Sequence, residues 1–184
     1  MDKITSQSFF QAWHEIVNSR KDDLLKIWRS PAKVTSYIKG DDKCVMDAVA
    51  DKLKLHCYPN DYYSIDTILY KKEDLVPGLN EGQYCLRDIR VAFEHENLFN
   101  VKLREEVSHL LITNCDLRVL VTYPPNDEKE QSILDYLGNI IEGNRQSKVI
   151  SDEESFLIIF GYEDGFCWDG YVFKKDKWKK IKEA

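Results

Sequence analysis

The amino-acid sequence predicts an α/β fold in which helices flank a mixed central sheet and the N-terminal third is helical. Apolar residues recur at helical spacing through residues 6–53. Beyond residue 54, short blocks rich in aromatic and β-branched residues alternate with helical stretches. A chain of 184 residues, 43% of them hydrophobic, suits a single domain over residues 1–184, which we divide into the segments 1–53, 54–123 and 124–184.

The N-terminal segment is predicted to contain four helices. They cover residues 6–18, 22–28, 31–40 and 43–53. Ser6 is the expected N-cap of the first helix, Pro31 suits the first turn of the third, and Gly40 suits its end. Asp41 or Asp42 is expected to cap the fourth helix. These signals make residues 1–53 helical.

Strands and two further helices are predicted in the rest of the chain. Strands are expected at residues 62–70, 87–96, 117–123, 155–162 and 166–173, and helices at 100–113 and 127–142. Strand 117–123 is apolar apart from Arg118 and Thr122, which is typical of a central strand covered on both faces. Residues 71–83 are expected to form a loop.

The lysine-rich segment 174–184 is expected to be irregular. Its six lysines, with Trp178 among them, suit contacts to phosphates and a nucleobase. A solvated tail is the simpler interpretation.

Charge and cysteine usage limit the function classes. The chain carries 26 Lys+Arg against 32 Asp+Glu, a formal net charge of -6, which is the wrong sign for binding nucleic acid by charge alone. The five cysteines have neither Cys-x-x-Cys spacing nor the Cys/His spacing of a zinc site, so we expect reduced thiols and a cytoplasmic protein. No apolar run reaches the roughly 18 residues of a membrane span, and residues 1–17 lack the pattern of a signal peptide. We therefore expect no membrane partner.

Acidic side chains on two predicted strands form the most informative pattern in the sequence. Asp66 lies inside a predicted strand, where a carboxylate is costly to bury unless it is paired or binds a metal ion. Glu94 and Glu96 are two residues apart on the next strand, so they project from one face with roughly 6 to 7 Å between their backbone positions. Such a cluster of carboxylate oxygens suits Mg²⁺.

The order of Asp66, the Glu94-x-Glu96 pair, a helix and an apolar strand resembles the core of the PD-(D/E)XK nuclease superfamily, over residues 44–123. The resemblance implies a restriction-endonuclease-like core and in-line hydrolysis of a phosphodiester in DNA or RNA. It implies that Asp66 and Glu94 are ligands of Mg²⁺ (or Mn²⁺), and that Asp47 on the preceding helix adds a third acid. By analogy with this fold it also suggests a homodimer.

One position departs from the pattern of the superfamily. Glu96 stands where the superfamily usually has lysine, so the resemblance gives it the role of general base or second metal ligand. Lys102, at the start of the following helix, is the expected replacement for the missing cation, ahead of Arg104. Because the same replacement occurs where catalysis has been lost, a catalytically inactive nuclease-like domain that binds nucleic acid or protein is the alternative.

Simpler interpretations of the same residues remain open. The three acids are also compatible with the charged sheet edge of an unrelated α/β fold. His95 points to the apolar face of its strand and is more typical of a hydrogen-bonded core histidine than of a metal ligand. Lys102 and Glu106 have the spacing of a surface ion pair, on a helix surface that Glu105 and His109 share.

Overall fold

A mixed sheet runs through the protein with its strands in chain order. The computed structural model describes residues 3–40, 42–58, 60–80, 82–100 and 102–182, and within these ranges seven strands form one sheet. The strands are β1 (His56–Tyr58), β2 (Thr67–Tyr70), β3 (Val91–Glu96), β4 (Leu117–Thr122), β5 (Phe156–Tyr162), β6 (Cys167–Lys174) and β7 (Lys177–Lys180). Strands β3, β4 and β5 are parallel to one another, and the other neighbouring pairs are antiparallel.

Helices cover both faces of this sheet. The first face packs against α1 (Ser6–Ser19), α2 (Lys21–Ile27), α3 (Pro31–Lys39) and α4 (Val45–Leu53). The second face packs against α5 (Leu103–Ile112), α6 (Asp127–Glu142) and α7 (Ser147–Glu153). A short 3-10 helix, Lys72–Asp74, lies between β2 and β3. The predicted α/β class, with a mixed sheet flanked by helices and a helical N-terminal third, is confirmed.

Local signals explain several helix boundaries. Thr5, and not Ser6 as predicted, caps α1, because its hydroxyl accepts from the Ser8 N–H while the Ser8 side chain bonds back to the Thr5 backbone. Asn126 caps α6 by accepting the Lys129 N–H at 2.9 Å. The predicted caps of α4 are not seen, since Cys44 occupies that position and Asp41 lies outside the described residues.

Two predicted strands are shorter in the structure. The strand expected at 62–70 begins only at Thr67, because Tyr63 and Ser64 have positive φ angles of 49° and 70° in a turn between Tyr62 and Ile65. The strand expected at 87–96 begins at Val91. Strand β1 and helix α7 were not predicted.

The prediction of an irregular C-terminal segment is wrong. Lys177–Lys180 forms strand β7 and pairs antiparallel with β6. The Trp178 ring lies 5.2 Å from the Phe173 ring, and its Nε1 donates to the Leu134 carbonyl at 2.7 Å. The indole is therefore engaged in packing.

Strand β7 is also remote from β3, the strand that carries Glu94 and Glu96. It lies four strands away, about 19 Å at the usual strand spacing.

No helix among the described residues is long and apolar enough to cross a membrane.

The packing of β5 yields a stability prediction. A Cβ atom at Gly161 would lie 2.7 Å from the Trp168 ring and 2.9 Å from the Tyr123 ring. Because these two buried or half-buried rings pack together, we expect Gly161→Ala to lower the free energy of unfolding by about 1 to 3 kcal/mol in a urea titration. Gly143→Ala is the control, because its Cβ would meet backbone oxygens at 3.6 Å. Equal stability of the two variants would contradict this prediction.

Candidate functional site

Acidic residues meet where β2 begins and β3 ends. Strands β2 and β3 are antiparallel with Thr67 opposite Phe93, which brings Asp66 opposite Glu94. The Asp66 N–H donates to Glu94 Oε2 at 3.2 Å. The structure therefore brings together the two residues that the sequence proposed as principal metal ligands.

Glu94 is the most unusual residue of this site. Its side chain is 0% exposed, on the face of β3 that packs against α5. Among the residues that the structure describes, Glu94 Oε1 has no hydrogen-bond partner. Burial, and then the neighbouring Asp66 and Glu106, raise the pKa of Glu94 well above its ordinary value. A buried carboxylate with an open oxygen is costly to the fold unless a proton or a bound cation compensates for its charge.

Helix α5 places Glu106 and His109 against this open oxygen. The two residues are three apart and share a face of the helix. His109 Nδ1 lies 3.7 Å from Glu94 Oε1 and 3.7 Å from Glu106 Oε2. One ligand atom from each of the three residues lies within 4.8 Å of the others. We call Glu94, Glu106 and His109 the α5 cluster.

The α5 cluster fits a divalent cation. Donors bound to one ion at about 2.1 Å are at most about 4.2 Å apart. The two separations from His109, each 3.7 Å, meet this limit, and the ligand atoms of Glu94 and Glu106 lie within 4.8 Å of each other. Burial and the charge of Asp66 raise the pKa of Glu106, as expected where several carboxylates crowd without a cation. An ion at the cluster would relieve this crowding.

The positively charged side chain of Lys39 reaches the site from α3. Lys39, the last residue of that helix, places Nζ 2.5 Å from Asp66 Oδ1 and 3.5 Å from Asp61 Oδ1. Burial alone would lower the pKa of Lys39, but the ion pairs with Asp66 and Asp61 outweigh it and raise the pKa. Asp66 Oδ2 accepts the His95 N–H at 2.9 Å. Both oxygens of Asp66 are thus already hydrogen-bonded.

His95 is a neutral side chain that links β3 to Tyr123 and to helix α3. Its Nε2 lies 2.8 Å from the Tyr123 hydroxyl, and its Nδ1 lies 3.5 Å from the Thr35 hydroxyl on α3. Burial and the charge of Lys39 lower the pKa of His95 to about 3. These contacts agree with the interpretation of His95 as a hydrogen-bonded core histidine.

The remaining predicted site residues are Glu96, Lys102 and Asp47, and only Glu96 lies on the same strand face as Glu94. Glu96 shares the face of Glu94 and is half-buried, and its Oε1 accepts the Leu98 N–H at 2.6 Å. Lys102 is exposed just before α5. Asp47 lies in the first turn of α4 and lines a separate cavity of about 690 Å³, together with Cys57 and Tyr70. The structure therefore does not bring Asp47 to the acids of β2 and β3.

Sequence reasoning missed three residues of the site. Lys39 carries no sequence signal, since a lysine in a last helical turn is ordinary. Glu106 and His109 were assigned to a helix surface, yet the Glu106 side chain is only 22% exposed. Their Glu-x-x-His spacing, which is known from metal sites on helices, was the available signal.

Comparisons with known proteins add little to this geometry. No protein-family model matches the chain, and neither does any curated protein sequence. Among solved structures, it is similar to the crystal structure of the central domain of yeast acetyl-CoA carboxylase, with 13% identity and a TM-score of 0.41. That match covers 94% of this chain and 34% of the other, so this chain spans about a third of its length.

Proposed function

We propose that the protein is a metal-dependent nuclease that hydrolyses phosphodiester bonds in DNA or RNA, with its active site at Asp66 and Glu94. One observation carries this proposal. The carboxyl of Glu94 is fully buried beside Asp66 and Glu106, and within the described ranges of the chain its Oε1 has no hydrogen-bond partner. Buried carboxylates in this arrangement are stabilised by a bound divalent cation.

The arrangement of elements supports the proposal. Asp66 precedes β2, the Glu94-x-Glu96 pair ends β3, and α5 leads to the buried strand β4. This is the order on which the resemblance to the PD-(D/E)XK superfamily rests. The hydrogen bond from the Asp66 N–H to Glu94 Oε2 keeps the two residues side by side.

The residues of the site suit this chemistry. A divalent cation, Mg²⁺ or Mn²⁺, would supply Lewis-acid polarisation of the phosphate and a lowered pKa for water. Glu94 would hold it with Asp66 beside it, since each carboxylate oxygen keeps a second lone pair. Lys39, and not the exposed Lys102, offers a positive charge next to Asp66 that can stabilise the developing charge on the phosphate.

Glu96 is the proposed general base. Its carboxylate would take the proton of the attacking water as the new bond from oxygen to phosphorus forms. The bond from phosphorus to the leaving oxygen then breaks, and that oxygen takes a proton from solvent. The products are a phosphate monoester and a free hydroxyl.

Cleavage of labelled single- and double-stranded DNA and RNA tests the proposal. We expect the full chain to cleave at least one of them with Mn²⁺ or Mg²⁺ and none in EDTA. Asp66→Asn should lower the rate by about 10- to 100-fold. Asp42→Asn, an exposed aspartate before α4, is the control and should retain the rate. No cleavage of any of the four by the native protein would refute the nuclease, and binding without cleavage would favour the inactive nuclease-like module.

A further inference from the structure

We infer that helix α5 supplies the metal ligands Glu106 and His109, which together with Glu94 form a mixed carboxylate and imidazole centre that prefers Mn²⁺ to Mg²⁺. This inference deepens the proposed function and rests on it for what the ion does. Ion binding itself is measured without any substrate. The resemblance to the nuclease superfamily places the ion between Asp66 and Glu94, and so does not predict these two ligands.

Two buried polar atoms point at the same place. In the described ranges, neither Glu94 Oε1 nor His109 Nδ1 has a hydrogen-bond partner, and both atoms are buried. They lie 3.7 Å apart, beyond the 2.7 to 3.2 Å of an ordinary N–H···O hydrogen bond. Two donors at this separation can both reach one ion, because donors bound at about 2.1 Å are at most about 4.2 Å apart.

The fold holds these donors in place without the ion. Leu103, Val107 and Leu110 are fully buried and fix the inner face of α5 against the sheet. Glu106 and His109 are one helical turn apart and lie beside that apolar stripe. A rotation of α5 that moved them away from Glu94 would therefore expose the stripe to solvent. The ligand atoms are therefore preorganised.

The hydrogen bonds around Asp66 leave Glu94 Oε1, on the side of α5, as the oxygen that can bind an ion. Asp66 Oδ1 accepts from Lys39 and Oδ2 accepts from the His95 N–H. Glu94 Oε2 accepts from the Asp66 N–H, whereas Glu94 Oε1 faces His109. An ion bound at Glu94 Oε1 therefore lies next to Glu106 and His109.

The imidazole decides the choice of ion. Mg²⁺ favours oxygen ligands, keeps much of its water shell and demands regular octahedral geometry. Mn²⁺ is bound by carboxylates as Mg²⁺ is, but it follows the first-row metals in accepting a nitrogen donor more readily. A site of two carboxylates and one histidine therefore favours Mn²⁺ over Mg²⁺.

Calorimetric titration of the full chain with Mn²⁺ alone and with Mg²⁺ alone tests the inference. We expect Mn²⁺ to bind at least about 10-fold more tightly than Mg²⁺. His109→Gln and Glu106→Gln should each weaken Mn²⁺ binding by about 10- to 100-fold. Glu105→Gln is the control, because Glu105 is exposed on the same helix turn and should leave the affinity unchanged. Circular dichroism of each variant verifies its fold.

Pulsed electron paramagnetic resonance of bound Mn²⁺ gives a second readout. We expect nitrogen modulation from an imidazole in the native protein and its loss in His109→Gln. Unchanged Mn²⁺ affinity in His109→Gln, or no nitrogen signal in the native protein, would overturn the inference. A native protein that binds Mn²⁺ through His109 but cleaves no nucleic acid would retain this centre and refute the nuclease. If His109→Gln still cleaves nucleic acid and binds Mn²⁺ with unchanged affinity, the nuclease would be retained and the α5 centre refuted.

Discussion

Replacing Glu94 by glutamine is expected to lower the rate of metal-dependent cleavage by about 100- to 1000-fold without lowering the melting temperature measured in EDTA. The amide oxygen can still accept the Asp66 N–H, and the amide NH₂ would face Glu106 and His109 in place of the open carboxylate oxygen. The substitution removes a carboxyl that adjoins two other acids and keeps an acceptor for the Asp66 N–H, so we expect the metal-free fold to retain its stability.

Single-turnover cleavage and thermal unfolding, each with Mn²⁺ and with EDTA, measure the two halves of this prediction. Mn²⁺ should raise the melting temperature of the native protein, because a ligand that binds only the folded state stabilises it, and it should not raise that of Glu94→Gln. Glu105→Gln should behave like the native protein in every condition. A large drop in the melting temperature of Glu94→Gln in EDTA would instead identify Glu94 as a residue that stabilises the fold.

The sequence predicted those elements that local signals define by themselves. Helix α6 was predicted at residues 127–142, the bounds it has in the structure, because a strong apolar stripe lies between the Asn126 cap and Gly143. Strands β1 and β7 were missed because each is only three or four residues long and is stabilised by pairing with a neighbouring strand. Trp178 anchors β7 through contacts with distant residues, which no local pattern shows.

The residues of the candidate site likewise fall into those that the sequence predicted and those that it missed. Asp66 and Glu94 were predicted together because their order along the chain resembles that of a nuclease core, and the antiparallel pairing of β2 with β3 brings them side by side. Lys39 was missed because its approach to Asp66 depends on how α3 packs across the sheet. Glu106 and His109 were missed because the crossover from β3 through α5 to β4 decides which face of α5 is covered.

A buried ion pair outside the site leads to the second large effect. Arg90 Nε donates to Asp74 Oδ2 at 2.8 Å and Arg90 Nη2 lies 2.5 Å from Asp74 Oδ1, and the two side chains are only 7% and 3% exposed. The pair fastens the 3-10 helix Lys72–Asp74 to the residue just before β3. Asp74 Oδ2 also accepts the Lys71 N–H at 2.8 Å. The Asp74 carboxylate therefore joins two parts of the long connection between β2 and β3.

We expect Asp74→Ala to lower the free energy of unfolding by about 3 kcal/mol, because it leaves the Arg90 guanidinium buried without its main partner. For a chain of this length the melting temperature should fall by about 6 to 12 °C. Asp88→Ala is a matched control: Asp88 also contacts Arg90, at 3.4 Å, but is 39% exposed, so its loss should cost less than about 1 kcal/mol. Equal losses in the two variants would show that burial does not set the strength of this pair.

Acid should remove the difference between the native protein and Asp74→Ala. Burial alone would raise the pKa of Asp74, but the hydrogen bonds from Arg90 and from the Lys71 N–H outweigh it and lower the pKa below its ordinary value. A carboxyl whose pKa is lower in the folded state stabilises the fold fully above its unfolded pKa and loses this contribution as the pH falls through the folded value. Urea titrations at pH 7 and at successive values below pH 4 should therefore show the two unfolding free energies converging. A gap that stays constant to low pH would mean that the charge of Asp74 contributes nothing, and that its stabilising effect comes from packing alone.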